Sequence, residues 1–314
     1  EFTFSPVNFG VVLHAVIREV CDEIKKNGES YYLISEEKRR EMVKRSVSAI
    51  TDIYQNSILK DSSRNSFMIK RMEDLADRTI WAMGEQLKCG DFVPFVFEHK
   101  FNMEVGDGDR KQLMSGTIDR VDICENDTDV YVRIIDYKTG KKDFNIVKTY
   151  YGIDIQLMVY MEAAMKLVAK MRPGKNVLPA GVFYYNISDP IVSATTESAE
   201  EIEDKIKGEL RLKGMVNSDK DIAEKMDNTE GTSLNIPVSR KADGGFDSRR
   251  SKVMNTEQFN MLGRFVDVRA VDTADRIAGG DIRRSPYKDG QFSSCDRCPY
   301  GAVCGFSVDL PGCN

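Results

Sequence analysis

The chain has 314 residues, of which 41% are hydrophobic and 30% charged, enough to build a globular core of its own. A net charge of -5 and a pI near 5.4 exclude a protein that holds nucleic acid by overall phosphate neutralisation, so a nucleic-acid role needs local basic patches or a partner. No apolar run approaches the roughly eighteen residues of a membrane helix, and no charged segment followed by an apolar one opens the chain, so neither a span nor secretion is expected and the cytoplasm is the expected location.

In chain order, residues 1–92 carry helical periodicity. Leu13, Val16, Ile17, Val20 and Ile24 share one face, with Asn27-Gly28 as a stop; a second helix is expected from about Glu36 to Leu59 and a third from about Ser66 to Leu87, closed by Cys89-Gly90. The period then changes to two. Phe95–Phe101, Leu113–Cys124 and Val130–Lys138 read as strands, separated by Gly-Asp-Gly-Asp at 106–109 and Glu-Asn-Asp-Thr-Asp at 125–129. Helical spacing returns from Ile153 to about Met171, Gly181–Tyr185 reads as a buried strand, and helices are expected at about Ala199–Leu212 and Thr256–Ala278. Residues 214–255 are polar and irregular. The economical organisation is one α/β domain in four stretches: 1–92 helical, 93–190 a sheet with a helix, 191–292 a helical and irregular elaboration, and 293–314 cysteine-rich.

Seven cysteines are an odd number, and Cys295, Cys298, Cys304 and Cys313 crowd the last stretch, which suits a metal or cluster site in a reducing compartment better than a disulfide framework. Basic clusters occur at Lys38-Arg39-Arg40 with Lys44-Arg45, at Lys138, Lys141, Lys142 and Lys148, and at Arg249-Arg250-Lys252; each alone reads as a solvated face.

Chemistry concentrates at Ile134-Ile135-Asp136-Tyr137-Lys138-Thr139-Gly140. Strand alternation puts Asp136 and Lys138 on the face of Val130, Val132 and Ile134, so an apolar stripe ends in an acid and a base. Alone, that describes a strand reaching solvent as well as it describes a site. A hairpin with the preceding Gly116-Thr117-Ile118-Asp119-Arg120-Val121-Asp122 brings Asp119 beside Asp136. Adjacent carboxylates repel unless a cation sits between them, and hard oxygen ligands suit Mg²⁺ or Mn²⁺. A lysine on the same face can orient the water that such a metal activates. His14, at the edge of the first helix's stripe, reads either as a packed core histidine or as a ligand, with Gly10 one turn earlier allowing another element to come close. Gln156 and Tyr160, at i and i+4, can hydrogen-bond a phosphate or the lysine, or form the polar edge of a helix whose other face carries Leu157 and Met161. Thr139-Gly140-Lys141-Lys142 is no P-loop, because Ile135 stands where its first glycine belongs and Lys142 where its Ser or Thr belongs. Lys141 and Lys142 remain as phosphate contacts outside the catalytic set.

Together and in this order, Gly10…His14, Gly116…Asp119-Arg120…Asp122, Asp136-Tyr137-Lys138-Thr139-Gly140 and Gln156-Leu157…Tyr160 resemble the PD-(D/E)xK nucleases of the RecB type, whose pattern is G-x-x-x-H, G-x-x-D-R-x-D, D-Y-K-T-G and Q-L-x-x-Y. The run Cys295, Cys298, Cys304, following Gly280-Asp281-Ile282 and Pro286, is similar to the iron–sulfur segment of AddAB-type helicase–nuclease B subunits (AddB). Residues 210–227 and 251–266 are similar to the nuclease domain of those subunits, so the resemblance runs from about residue 9 to the end.

The resemblance implies a restriction-endonuclease-like α/β fold, with a central mixed sheet flanked by helices. It implies that His14, Asp119, Asp136 and the backbone carbonyl of Tyr137 bind catalytic Mg²⁺ or Mn²⁺, that Lys138 is the catalytic lysine, and that Gln156 and Tyr160 position substrate. Cys295, Cys298 and Cys304 would be three of four ligands to a structural 4Fe–4S cluster. The implied activity is hydrolysis of single-stranded DNA fed by a helicase, in double-strand-break repair and recombination, with an A-type helicase–nuclease subunit as partner. In the family the remaining cysteine precedes the G-x-x-x-H helix, and none precedes Gly10 here, so a C-terminal fragment with an incomplete cluster is expected. Zinc held with Cys313, or free thiols, are the alternatives. The competing function is a catalytically idle nuclease-like scaffold that binds DNA or a partner protein.

Overall fold

A computed structural model describes residues 6–53, 63–106, 111–193 and 197–307. The first apolar stripe folds as α1 (Pro6–Lys26), where Leu13, Val16, Ile17, Val20 and Ile24 are fully buried. Each contributes about 1.5–3 kcal/mol by leaving water. α2 (Glu36–Ile53) and α3 (Ser63–Lys88) pack with α1 as a helical layer. Glu36 and Glu37 open α2 where its dipole favours negative charge. The expected end of this helix, residues 54–59, lies outside the described residues.

Three long strands follow: β1 (Val93–Val105), β2 (Gln112–Glu125) and β3 (Asp129–Lys138). Both β1–β2 and β2–β3 pair antiparallel. Asn126 sets the second turn, its side-chain oxygen accepting the N–H groups of Thr128 and Asp129 at 2.9 and 2.7 Å. The chain then crosses through α4 (Ile146–Tyr150) and α5 (Gln156–Met171) to β4 (Asn176–Asn186), parallel to β3. The helix expected from Ile153 thus starts at Gln156. The short α4, too brief to show a period, is held by Asn145, which caps the N–H groups of Val147 and Lys148.

After α6 (Ala199–Glu209), the stretch expected to be irregular contributes β5 (Lys213–Asn217), α7 (Lys220–Met226) and β6 (Val253–Met254). This corrects the sequence reading of 214–255. These pieces are too short to carry a pattern, and β5 is a strand because it pairs with β4. α8 (Thr256–Ala278) precedes the small hairpin β7 (Lys288–Asp289) and β8 (Phe292–Ser293), a 3₁₀ turn at Ser294–Arg297 and α9 (Gly301–Cys304).

Among the described residues, the main sheet has the order β1-β2-β3-β4-β5-β6, antiparallel except for the β3–β4 and β5–β6 pairs. Apolar side chains of α1–α3 share one core with Ile135, Phe183 and Val216, while Val121, Val132 and Ile134 pack with α5 and α8 on the other side. Covered on both faces, β3 is buried from Val130 to Tyr137. The result is an α/β fold with a central mixed sheet flanked by helices. No helix among the described residues is long and apolar enough to cross a membrane.

Candidate active site

Asp136 interrupts the buried run of β3 at 2% exposure, where an ionised carboxylate is costly unless compensated. Lys138 Nζ forms an ion pair with its Oδ2. Burial, followed by the charge of Asp119, pushes the Asp136 carboxyl up to about 6 against the pull of Lys138.

Strand register explains why Asp119 is close. The pairs Val121↔Ile134 and Arg120↔Ile135 bring Asp119 level with Asp136, and Asp119 Oδ2 accepts the Tyr137 N–H at 2.6 Å. On the other side of β2, Phe97↔Arg120 and His99↔Ile118 bring Glu98 level with Asp119. Three neighbouring strands therefore carry Glu98, Asp119 and Asp136 in one row across the sheet.

His14 meets this row from α1. Its Nδ1 lies 3.4 Å from Glu98 Oε1 and 3.5 Å from Asp119 Oδ1, and its ring meets that of Tyr137 edge-on, 5.7 Å between centres. Among the described residues, His14, Glu98 and Asp119 are the one group whose ligand atoms converge within 4.8 Å. Burial opposes a charge on this imidazole, but hydrogen bonds to Asp119 and Glu98 outweigh it and raise its pKa to about 10. A proton there offsets acids that a metal ion would otherwise balance.

Glu98 is absent from the residues that the sequence motifs single out. Its signal lies in the β1–β2 register rather than in any motif. Its backbone is also unusual, with φ of 47° in a non-glycine residue, close to the register shift between Pro94 and Val96. Such a conformation costs about 1–3 kcal/mol and tends to persist where a site depends on it.

The remaining expected residues form a chain of contacts. Lys138 Nζ donates to Gln156 Oε1 at 3.1 Å, and Gln156 Nε2 donates to the Tyr160 hydroxyl at 2.9 Å. Gly116 leaves room for this arrangement: a Cβ there would lie 2.9 Å from Phe101 and 3.3 Å from the Tyr160 ring. Gly10 is less constrained than expected, since a Cβ would meet Thr139 only at an ordinary 3.8 Å.

Over residues 1–305 the sequence matches the PD-(D/E)XK nuclease superfamily. The chain belongs to this superfamily. Among curated relatives it is 33% identical to the B subunit of the ATP-dependent helicase/deoxyribonuclease of Clostridium botulinum strain Hall, with 99% of this chain and 28% of that protein covered. The protein of the same name from Caldanaerobacter subterraneus subsp. tengcongensis is 34% identical, over 99% of this chain and 27% of its own length. The Clostridium acetobutylicum counterpart is 33% identical, over 100% and 28%. The chain thus spans less than a third of these relatives.

Two other features sit apart from the acid row of this superfamily member. Asp122, the second acid of its Asp119-Arg120-Val121-Asp122 motif, is bound by Arg120 at 2.7 and 2.6 Å and by Arg133 at 2.9 Å, all three fully buried. Burial raises the Asp122 pKa, but the two guanidiniums more than reverse this and hold it below the usual carboxylate range. The cysteine segment presents Cys295 and Cys298 to solvent and half-buries Cys304, and these sulfurs do not converge as the His14 group does. Cys313 lies outside the described residues, while Cys21 and Cys124 are buried in the core. Aromatic contacts hold the segment near α4: Tyr287 lies 5.0 Å from Tyr151, and Lys148 sits 4.4 Å over Phe292.

Proposed function

We propose that this chain is a divalent-metal-dependent nuclease domain that hydrolyses phosphodiester bonds of single-stranded DNA. The observation carrying this reading is the acid row Glu98, Asp119, Asp136 with His14 against it, in which the buried Asp136 faces the like charge of Asp119 and pairs with one lysine. Carboxylate oxygens with one imidazole fit Mg²⁺ or Mn²⁺. His14, Asp119, Asp136 and the backbone carbonyl of Tyr137 would hold the ion, with Glu98 as a further carboxylate. When bound, such an ion supplies charge neutralisation at the scissile phosphate and a more acidic attacking water.

The protein's own groups do the rest. Lys138, aimed by Gln156, directs a positive charge and its N–H donors at the place where negative charge builds on phosphorus. Tyr160 fixes Gln156 and so preorganises the lysine. His14 would hold the ion as the neutral imidazole, which requires it to give up the proton that Asp119 and Glu98 stabilise. In this reading Cys295, Cys298 and Cys304, whose sulfurs are not drawn together in the structure, would be three of the four ligands of a structural 4Fe–4S cluster, since thiolates suit iron better than a hard cation.

The relatives are named as subunits of an ATP-dependent helicase/deoxyribonuclease. We take the strand to be delivered by an A-type helicase–nuclease subunit, in cytoplasmic double-strand-break repair and recombination. Delivery removes the need for strong autonomous affinity in a chain of net charge -5. Asp136→Ala and Lys138→Ala are expected to lose Mg²⁺- or Mn²⁺-dependent cleavage of single-stranded DNA while retaining the parent's circular dichroism spectrum. Full activity in either variant overturns the assignment.

A further inference from the structure

A groove of about 1180 Å³ begins where β3 ends, and the catalytic reading leaves it unused. Thr139, Gly140, Lys141 and Lys142, the residues straight after Lys138, form part of its wall, as does Phe9 on the helix that carries His14. The groove therefore opens beside the acid row.

Its charge is the reverse of the chain's. Arg64 and Arg71 from α3, Lys141, Lys213 from β5 and Arg249 from the loop before β6 all line it, and among the described residues none of the five forms an ion pair. Neighbouring cations are already engaged. Lys252 is paired with Asp143 at 2.5 Å and Lys142 with Asp154 at 3.1 Å, while the Arg211 guanidinium donates to the carbonyl oxygens of Ile236 and Val238. Four separate stretches of a chain with 50 acids and 45 bases thus deliver their unpaired cations to one place. Such a concentration is self-repulsive until a polyanion or its counter-ions fill it. Of the apolar residues that line it, Phe9, Leu75, Leu212 and Pro237 are buried and Met68 is half-buried, so the accessible wall is the cationic one. Such a wall suits the sugar–phosphate backbone of a nucleic acid, which on the nuclease reading above is the single strand.

We infer that this groove is a track for the sugar–phosphate backbone of the single strand next to the cleavage site, gripped by Arg64, Arg71, Lys141, Lys213 and Arg249. The inference rests on the nuclease reading and adds a binding site to it. Nucleotides away from the scissile bond supply the grip, so affinity depends on strand length while turnover of a very short substrate does not.

The test uses a Lys213→Glu/Arg249→Glu double variant, with Lys213→Gln/Arg249→Gln as the milder pair should charge reversal impair folding, and thermal melting to establish that each is folded. Binding is read by fluorescence anisotropy with a labelled single strand of about 20 nucleotides, longer than the roughly 4–16 a compact fold covers. Ca²⁺ replaces Mg²⁺ in this assay. Charge reversal is expected to weaken binding roughly tenfold or more. It should also flatten the dependence of log affinity on log salt by about 0.7 for each phosphate that the variant no longer neutralises. Cleavage of a dinucleotide in Mg²⁺ should be unchanged. Equal affinity and equal salt slope in the folded variant overturn the inference. So does groove-dependent binding of polyglutamate without binding of the oligonucleotide, which would indicate an acidic protein partner. Groove-dependent strand binding by a parent chain that cleaves nothing sinks the nuclease reading and leaves the groove standing. Cleavage together with charge-insensitive binding sinks the groove alone.

Discussion

Asp122 and Asp136 lie on adjacent strands of one sheet and are about equally hidden, at 0% and 2% exposure, yet their carboxyls shift in opposite directions. Burial pushes both up. Asp122 meets two buried guanidiniums that reverse the push, whereas Asp136 meets one lysine and the like charge of Asp119. Burial of an acid is therefore no guide to its role, and the balance of charge around it is. A fully compensated acid ties strands together; an under-compensated one is a candidate functional group.

The sharpest way to break this comparison is to neutralise each acid in turn. Asp136→Asn should abolish cleavage while leaving stability equal or higher by on the order of 1 kcal/mol, because a carboxylate with a raised pKa is already disfavoured in the folded state. Asp122→Asn should cost about 3–5 kcal/mol, since it strands Arg120 and Arg133 without a counter-charge. Urea unfolding measures both, and similar stabilities for the two variants would erase the distinction.

A smaller effect is expected at Glu98. Glu98→Gln should weaken Mn²⁺ binding about 10- to 100-fold by calorimetry, comparable to the loss of a supporting carboxylate at other metal sites. Unchanged affinity would remove Glu98 from the site.

The most modest effect is on pH dependence. Asp136, raised from 3.8 to about 6, binds its proton more tightly folded than unfolded, so its contribution to the metal-free protein is present below the lower value and lost as pH rises through the higher. His14, raised from 6.5 to about 10, likewise contributes below 6.5 and loses that contribution as pH rises through about 10. Asp122 behaves oppositely: its contribution is present above the usual carboxylate range and lost on acidification. A divalent ion would substitute for the protons on Asp136 and His14 only, so the rise in melting temperature caused by Mn²⁺ should grow as pH rises through about 6 and go on growing towards about 10. A rise independent of pH would mean that these protons are not the ones displaced.

Much of this was legible in the sequence for a local reason. The stripe from Leu13 to Ile24 and the alternation through Val130, Val132 and Ile134 each fit within one element, so their periods declare helix and strand. Asp119 beside Asp136 was also readable, because a short turn joins their strands and fixes the register. Glu98 was not, since its place depends on pairing across residues 106–111 and on a φ that sequence does not signal. Nor were β5 and β6, which are strands only by virtue of the neighbours that pair with them. The basic groove was visible only as scattered clusters. Lys141 and Arg249 carry no sign in sequence that they will face the same space.

The row across β1, β2 and β3 also has a consequence for biogenesis. Side chains alternate along a strand, so a slip of one residue in either pairing would turn an acid to the opposite face and dismantle the row. The third strand also has a parallel neighbour, β4, that arrives only after the chain has crossed through α4 and α5, a long-range closure that comes slowly. A newly made chain therefore carries no assembled metal site until three registers are correct and the crossover is closed, and on the reading proposed above its cutting activity stays latent while the polypeptide is still finding its shape.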